Sequence, residues 1–387
     1  MRCWPTADKP AYYWLQEVVG RGDVEEAGNV RPYKDKPSQG VRFGNAPLPD
    51  DVERLLSQVE ERIGDVPALL ALAEITGRTT PEPGEGETAR LWEILASLAA
   101  VDVAAARVFE PHLDAGAILK QAGQEALFEG TWGVFAAEGH GHALEARKAG
   151  QSAQGTAAVV LSGSKPWCSL AGYLDHAIVT AKTQSGSRQA FAVDLRLPGV
   201  KVEEPLWISH GLREIPSGTV HFTDVPAVPV GEPGWYFERP GFAWGGIGVA
   251  ACWLGGAVGL LRTFKDALAH REPDQIALSG LGEADRLLVS GVELLRGAAA
   301  GIDGGTLGDG EDGNNAWAYA LRARGNVVAI VERIQEIVGE NLGPGPLARD
   351  ARHAKRVSDL RLYVRQHHGQ RDDAQLGLLV LSGATEW

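Results

Sequence analysis

The stretch LSGSKPWCSLAGYLDHAIVTAK, residues 161–182, decides the fold of this 387-residue chain. It joins two runs of apolar and β-branched residues through a segment that contains Gly, Ser and Pro. Four similar runs, TWGVFAA, QAFAVDL, VKVEEPL and TVHFTDV, lie between about residues 129 and 230. Short runs of this kind separated by turn residues are typical of strands. The region is therefore predicted to be an antiparallel sandwich or barrel.

Helical sequence lies on both sides of the predicted strands. From about residue 50, and again from about residue 241, apolar residues recur at three- and four-residue spacing, as on one face of a helix. We therefore divide the chain into a helical domain (1–128), a β-domain (129–230) and a second helical domain (231–387). Helices, then strands, then helices is the order of an α+β fold and is wrong for a parallel doubly wound sheet.

The overall charge excludes one class of partner. A formal net charge of -13 and a pI near 5.3 argue against broad nucleic-acid binding, which needs concentrated Lys and Arg. The three cysteines, Cys3, Cys168 and Cys252, are too few and too widely spaced for a zinc finger or a disulfide framework. Because MRCWPTADKP also contains no apolar leader, we expect a reducing, cytoplasmic location.

One segment is long enough to cross a membrane. Residues 242–261, FAWGGIGVAACWLGGAVGLL, run for twenty positions without a charge. Six of them are Gly, no other run is like it, and the flanking charges show little asymmetry. We expect a buried interior helix and no membrane partner. The Gly and Ala residues would let a neighbouring helix or a flat ligand come close.

Polar motifs give weaker indications. The glycines of GGTLGDGEDGNN, residues 304–315, match a dinucleotide fingerprint but lack the strand that must precede it. The acidic residues of the same loop do not follow EF-hand spacing, and no metal site is predicted. His367 and His368 precede Asp372, which lies one helical turn from His368. An acid–base pair and a polar helix face both fit this pattern, and both histidines are candidate catalytic residues.

Residues 161–182 resemble a flavin-contacting segment of the acyl-CoA dehydrogenase family. In that family a strand ending in L-x-G-x-K is followed by x-W-x-T or x-W-x-S, and Lys165, Trp167 and Ser169 match this pattern. The resemblance implies that Trp167 packs beside a flavin ring. It also implies that the hydroxyl of Ser169 bonds toward the N5 edge of the flavin.

The segment before it resembles the family's other flavin-contacting strand. WGVFAAEG, residues 132–139, occupies the place of F-A-L-T-E-P, whose backbone contacts the pyrimidine edge of the flavin. The resemblance therefore assigns cofactor contacts to Phe135 and Ala137. The G-S-D sequence that the family uses at the FAD diphosphate is absent from HGHALEARKAG, which follows.

The C-terminal region resembles two further cofactor-contacting segments of the family. A helix with the pattern Y-x-x-x-R-x-x-F-G is matched at Arg271, although the Phe and the final Gly are lost. VERIQEIVG keeps Gln335 and Gly339 of a Q-x-x-G-G segment that contacts FAD of a neighbouring subunit. The resemblance covers about residues 85–387, with its segments in the family's order.

The resemblance implies an architecture and a reaction. The architecture is an N-terminal helical domain, a middle β-domain and a C-terminal four-helix bundle, with FAD, or alternatively FMN, at their junction. The implied reaction is oxidation of the α,β-bond of an acyl-CoA or another acyl thioester, as in fatty acid metabolism, with hydride transfer to FAD. The implied partners are an electron acceptor, either an electron-transfer flavoprotein or oxygen, and further copies of the chain in a homodimer or homotetramer.

The catalytic Glu of the family is missing from both of its usual places. Ser358, with Asp359 adjacent, occupies one place, and Val249 occupies the other. In one interpretation Asp359 is a shifted base, with helix capping as the alternative for this residue. In a second, the chain is a flavin monooxygenase or N-oxygenase that uses oxygen and histidine, which makes His367 and His368 relevant. In a third, it is a scaffold that kept the fold and lost the flavin.

Overall fold

The computed structural model describes residues 40–44, 46–151, 157–204, 206–270, 272–308 and 314–383. It begins with four helices, which are α1 (Asp50–Glu60), α2 (Val66–Gly77), α3 (Thr88–Val101) and α4 (Val103–Gln121). Asp65 and Asp102 precede α2 and α4, and their carboxylates accept hydrogen bonds from amides in the first turns of those helices. Short polar side chains in this position are preferred helix N-caps. A single 3-10 turn at Glu125–Leu127 leads into the strands.

Seven strands follow. They are β1 (Trp132–Phe135), β2 (Leu144–Gln151), β3 (Ala157–Ser169), β4 (His176–Lys182), β5 (Arg188–Asp194), β6 (Val200–Val202) and β7 (Ser217–Val230). They pair in the order β1-β4-β2-β3-β7-β5, β5 also pairs with β4, and β6 lies beside β7. The sheet therefore closes into a small barrel. Its pairings are antiparallel, as predicted, except that β4 runs parallel to β1 and, at one residue pair, to β2.

Strand β2 is not among the predicted strands. Its sequence, LEARKAGQ, contains no β-branched or aromatic residue, so it lacks the composition that marks the other strands. It becomes a strand because Leu144 to Lys148 pair with β3. Tertiary pairing thus decides this segment, and local sequence preference does not.

The C-terminal region is helical. Its elements are α5 (Trp235–Glu238), α6 (Pro240–Ala269), α7 (Gln275–Asp303), α8 (Asn314–Leu342), α9 (Pro344–Arg349), α10 (Ala351–Tyr363) and α11 (Gln370–Leu381). Helix α6 packs against α3, α4, α7, α8 and α10. One continuous apolar core joins the first helices, the barrel and these last helices. The predicted α+β order of helices, strands and helices is confirmed.

Helix α6 contains the apolar segment that is long enough to cross a membrane. In the fold most of that segment is covered by other helices, and Trp253 and Leu254 are completely buried. A Cβ at Gly255 would lie only 2.0 Å from the carbonyl oxygen of Ala96 on α3. Only glycine allows this approach of two helices. The segment is the predicted interior helix, and its glycine permits the predicted close approach.

The loop between β6 and β7 rests on α10. A Cβ at Gly211 would lie 2.2 Å from the carbonyl oxygen of Ser358, so the loop and the helix are in backbone contact. The next amide, that of Leu212, donates a hydrogen bond to Asp359. The barrel and the C-terminal helices are therefore held together next to the end of β3, where the segment 161–182 turns.

Candidate functional site

Trp167 lies on a β-bulge near the end of β3. The pairing of β3 with β7 shifts register between Lys165 and Cys168, and Pro166, inside the shift, has no amide hydrogen to donate. Trp167 has a φ angle of 60°, and its side chain is 61% exposed. A bulky residue in the left-handed region costs roughly 1–2 kcal/mol. The bulge therefore holds a large aromatic ring in solvent at an energetic cost, which is typical of a ligand site.

A cleft of about 350 Å³ opens beside Trp167. Its walls include Gly139 and His142 from the segment after β1, and Ser217 from the start of β7. Gly139 packs against Pro166, since a Cβ at this glycine would lie 2.8 Å from the proline ring. The segment after β1 and the bulge thus form adjoining walls of one cleft.

A buried lysine fixes the segment after β1 to the barrel. Lys165 is 2% exposed, and its Nζ donates to Glu138 at 2.9 Å and to the hydroxyl of Thr180 at 2.8 Å. Burial lowers the pKa of Lys165, and Glu138 partly offsets this effect. Of the predicted contact residues nearby, Phe135 is buried in β1, whereas Ala137 is exposed just beyond its end.

Ser169 is the last residue of β3, and its hydroxyl belongs to a polar chain. Its Oγ lies 2.7 Å from Oγ of Ser217 and 3.3 Å from Nη2 of Arg107 on α4. Nη1 of Arg107 lies 3.3 Å from Glu110, one turn further along α4. This chain of contacts joins the predicted flavin-contacting residue to a charged pair inside the helical region.

Glu110 is in an unusual environment for a carboxyl group. Its side chain is 11% exposed, and that of Arg107 is 12% exposed. Burial raises the pKa of Glu110 to about 7, although the guanidinium groups of Arg107 and Arg324 oppose the rise. A buried carboxyl group with a pKa near neutrality, linked through Arg107 to Ser169, is a candidate functional group.

Sequence reasoning missed Arg107 and Glu110. The signal was present in VAAARVFEPHLDAGAILKQ, where an Arg and a Glu three residues apart interrupt a helix of small and apolar residues. Pro111 follows Glu110 and has no amide hydrogen, so the carbonyl group of Arg107 loses its usual helical partner. Charged residues on such a helix indicate either a buried ion pair or a site, and the structure shows the pair.

Asp359, the predicted base, is engaged in a buried ion cluster. Its Oδ1 accepts from the amide of Leu212 at 2.6 Å, and its Oδ2 accepts from Lys355 at 2.6 Å. Lys355 also contacts Asp102 at 2.8 Å and Glu214 at 2.9 Å. Burial raises the pKa of Asp359, and Lys355 opposes this rise. With 1% exposure and both oxygens engaged, Asp359 clamps the barrel loop to α10 and has no open face toward a substrate.

Helix capping, the alternative for Asp359, does not apply. Helix α10 begins at Ala351, and Asp350 caps it by accepting from the amides of Arg352 and His353. Asp359 lies more than two turns further on, and the adjacent Ser358 donates back to the carbonyl group of Ala354. The N-cap that the sequence analysis placed at this position lies at Asp350.

His367 and His368 lie between α10 and α11. His368 is exposed, and its Nδ1 lies 3.3 Å from Asp372, which is the predicted contact across one turn. Nδ1 of His367 accepts from the amide of Gly369 at 3.2 Å, and its buried Nε2 has no hydrogen-bond partner. Burial lowers the pKa of His367. Neither histidine lines the cleft beside Trp167, so the structure does not bring them to the predicted flavin contacts.

The remaining predicted contacts lie on a different surface. Gln335 and Gly339 line a groove of about 630 Å³ between α8 and α10, together with Arg361. The side-chain oxygen of Gln335 is buried there without a hydrogen-bond partner. Arg271 lies outside the described residues. The groove and the cleft share no lining residue, so Gln335 and Gly339 lie apart from Trp167.

Two motifs that the sequence analysis set aside involve the loop between α7 and α8, which the structure describes only in part. The described residues contain no group of three or more His, Cys, Asp or Glu side chains that would hold a metal ion. The acidic loop at residues 304–315 connects α7 to α8 with no strand before it, and residues 309–313 lie outside the described part.

Comparison with known proteins identifies the class of this fold. Residues 137–225 match the family model of the acyl-CoA dehydrogenase middle domain. Butyryl-CoA dehydrogenase from Megasphaera elsdenii is 19% identical with a TM-score of 0.70, over 87% of this chain and 100% of that chain. The predicted resemblance is therefore confirmed, at low sequence identity, by the family model over residues 137–225 and by a shared fold over 87% of the chain.

Two other solved structures share this fold but are not named as acyl-CoA dehydrogenases. A nitrososynthase from Micromonospora carbonacea var. africana is 19% identical with a TM-score of 0.68, over 84% of this chain and 94% of that chain. KijD3, solved with FMN and an amino-deoxy sugar nucleotide, is 18% identical with a TM-score of 0.71, over 87% of this chain and 92% of that chain. Comparison with proteins of curated function finds no match. The fold is thus established, and the reaction has to be argued from the site.

Proposed function

We propose that this chain is a flavin-dependent oxidoreductase that binds the flavin ring in the cleft beside Trp167. The observation that carries the proposal is the indole of Trp167, exposed on a strained bulge at the edge of an open cleft. Aromatic side chains bind flat π systems by stacking. The match to the acyl-CoA dehydrogenase middle domain and the FMN complex of KijD3 support the same cofactor class.

The residues of the cleft fit the ring of a flavin better than its phosphate groups. Trp167 offers an open aromatic face, and Ser217 offers a hydroxyl. Glu203 and Glu204 make one wall acidic, which does not favour phosphate. When bound, the flavin supplies the electron-accepting and electron-donating chemistry. The chain would hold the ring at Trp167 and Ser169, and the phosphate contacts determine whether FMN or FAD binds more tightly.

The geometry favours oxidation with oxygen over oxidation of an acyl thioester. Thioester oxidation needs a free carboxylate to remove the α-proton, but Asp359 is bound to Lys355 and to Leu212, and Val249 is apolar. Glu110 is the carboxylate that the described contacts link to Ser169, and Arg107 lies between the two.

The space beside Ser169 is also too small for an acyl chain. The void shared by Arg107, Phe135 and Ser169 measures about 10 Å³, and the next void along α4, beside Glu110, measures about 30 Å³. A void of roughly 10–15 Å³ on this measure holds one water molecule. These voids are therefore about the size of one or two water molecules, and a fatty acyl chain would have to displace the Arg107 side chain.

A binding titration tests the cofactor assignment. The purified full-length chain is titrated with FMN and with FAD, and binding is followed by flavin fluorescence and by the visible absorption band. We expect Trp167→Ala to weaken binding by ~10-fold or more, because one aromatic stack is worth about 1–3 kcal/mol. Tyr173→Ala, which removes an exposed aromatic residue of the same barrel that does not line the cleft, is the matched control and should bind as the wild type does.

The reaction is tested on the flavin-loaded chain. Under anaerobic conditions an acyl-CoA panel should leave the flavin band unchanged, whereas chemically reduced flavin on the protein should consume oxygen when air is admitted. Bleaching by any acyl-CoA would instead establish the dehydrogenase reaction. If neither FMN nor FAD binds to the wild-type chain, the protein is the flavin-free scaffold and the proposed function is wrong.

A further inference from the structure

Arg107 lies between the predicted flavin contact and the buried interior. Its guanidinium group lies 3.3 Å from the hydroxyl of Ser169 on one side and 3.3 Å from Glu110 on the other. It also lies over the ring of Tyr363, with its central carbon 5.8 Å from the ring centre. The side chain is nearly buried and adjoins the void of about 10 Å³ that it shares with Ser169. A positive charge is thus fixed in a closed space next to the residue that faces the flavin in the proposed function.

Resting on that function, we propose that Arg107 supplies the positive charge that promotes electron transfer from reduced flavin to dioxygen, and that Glu110 sets the strength of this charge. When bound beside Trp167 and Ser169, the reduced flavin would supply two electrons and one proton to dioxygen near Arg107. With a second proton from solvent, the product would be hydrogen peroxide and the flavin would be oxidised. The first electron places negative charge on oxygen, and a fixed cation in a dry site stabilises such charge strongly.

Arg107 is suited to this task because its hydrogen bonds leave donors unused. A guanidinium group has five N–H donors and stays protonated in proteins. Only two of its contacts are hydrogen bonds, and both are at the long end of the usual range. The charge therefore remains available to a small anionic species in the void. A neutral side chain of the same length would fill the space without supplying that charge.

Glu110 is the group that controls the charge. Facing groups come from five helices, and they are Arg107 and Asp114 on α4, Tyr236 on α5, Cys252 on α6, Arg324 on α8 and Tyr363 on α10. Burial raises the pKa values of Asp114, Tyr363 and Cys252. Of these groups Glu110 is the one with a pKa of about 7. Below this pH it is neutral and leaves the charge of Arg107 uncompensated, and above this pH its carboxylate cancels part of that charge.

The experiment measures reoxidation of the reduced flavin. The full-length chain loaded with FMN, or with FAD if FAD binds more tightly, is reduced without oxygen and mixed with aerated buffer, and the return of the flavin band is timed. Arg107→Met should slow reoxidation by about tenfold, and Arg107→Lys should restore most of the rate. The control is Arg78→Met, which removes an exposed arginine paired with Glu74 on α2 and should leave the rate unchanged.

Glu110→Gln provides the second arm of the experiment. The variant keeps Arg107 uncompensated at every pH, so its rate should equal the wild-type rate at pH 6 and exceed it by several-fold at pH 8.5. The ratio of the two rates is used because it cancels any titration of the flavin itself. A structural role for the pair would lower flavin binding without producing this pH-dependent ratio.

The outcomes distinguish failure of the proposed function from failure of the role of Arg107. Failure of the wild-type chain to bind flavin overturns the proposed function and this inference together. Flavin binding with equal reoxidation rates in Arg107→Met and the wild type overturns the role of Arg107 alone. If Arg107→Met does not bind flavin, the Glu110→Gln ratio decides, and a ratio that stays constant from pH 6 to pH 8.5 overturns the inference.

Discussion

Trp167 lies in the barrel and Asp359 lies on α10, and their surroundings are opposite. Trp167 is 61% exposed and lies on a strained backbone. Asp359 is 1% exposed, and both of its oxygens accept hydrogen bonds. Each was singled out from the same family pattern, one as a cofactor contact and the other as the base.

The difference shows how a position in a family pattern is assigned a role. A polar group that stabilises the fold is buried with its hydrogen bonds formed, because burying a polar group without a hydrogen-bond partner costs free energy. A group that serves a ligand keeps an open face and carries strain that the fold alone does not need. By this standard Asp359 is a clamp, and Trp167 has the surroundings of the ligand contact that we propose. Glu110 combines features of both residues. Its carboxyl group is buried, as that of Asp359 is, but its contact with Arg107 is long at 3.3 Å.

Removing the Asp359 carboxylate should have the largest effect on stability. Asp359→Ala leaves the Leu212 amide without its acceptor and leaves Lys355 with one fewer counter-charge in a buried place. Breaking a buried pair in this way costs about 3–5 kcal/mol. We expect a loss of that size in the free energy of unfolding, measured by urea denaturation, with flavin affinity of the folded protein within twofold of wild type.

The matched control for this clamp is an exposed pair. Glu74→Ala removes the partner of Arg78 on the surface of α2, where a salt bridge contributes about 0–1 kcal/mol. Were Asp359→Ala as mild as this control, the ion cluster would not be a clamp. Asp359 would then again be a candidate for the base.

Glu110→Gln should have the next largest effect, and the effect should depend on pH. Glu110 has a pKa of about 7 in the folded chain against an ordinary value of 4.5. The folded state therefore holds a proton that the unfolded state releases, and wild-type stability falls as the pH rises from about 4.5 to about 7. The shift corresponds to a fall of about 3 kcal/mol.

The Gln variant lacks this titration. Its free energy of unfolding should therefore increase relative to that of the wild type as the pH rises from 5 to 8. Urea denaturation at several pH values measures the difference. Glu293→Gln, an exposed substitution on α7, is the control and should follow the pH dependence of the wild type. A constant difference between Glu110→Gln and the wild type across this range would show that the carboxyl group is not held neutral by burial.

The helices and all strands but one could be predicted because their periodicity and composition are local. Strand β2 could not, since LEARKAGQ becomes a strand only by pairing with β3. The bulge at Trp167 could be predicted in part, because Pro166 has no amide hydrogen to donate to a regular strand pairing. Its left-handed backbone and open cleft depend on the pairing of β3 with β7, which joins residues far apart in sequence.

The contacts of the candidate site also differ in whether the local sequence predicts them. The contact of Lys355 with Asp359 is an i, i+4 pair that the sequence AKRVSD already contains, so the clamp was open to prediction. The contact of Arg107 with Ser169 joins residues 62 apart on different elements, and no local pattern encodes it. The pKa of Glu110 depends on burial by several helices, and a sequence gives no measure of that burial.

Trp167→Asn should have the smallest effect on stability. It should stabilise the chain, whereas Asp359→Ala should destabilise it. Trp167→Asn keeps a residue that tolerates the left-handed region and removes a side chain that buries little. We expect a gain of up to about 1 kcal/mol and a rise in melting temperature of about 1–3 °C, together with weaker flavin binding. Leu170→Asn is the matched control, since Leu170 has a φ angle of 59° but is 4% exposed, and its loss of burial should destabilise the chain. If Trp167→Asn destabilised the chain as Leu170→Asn does, the indole would be part of the core, and the contrast with Asp359 would fail.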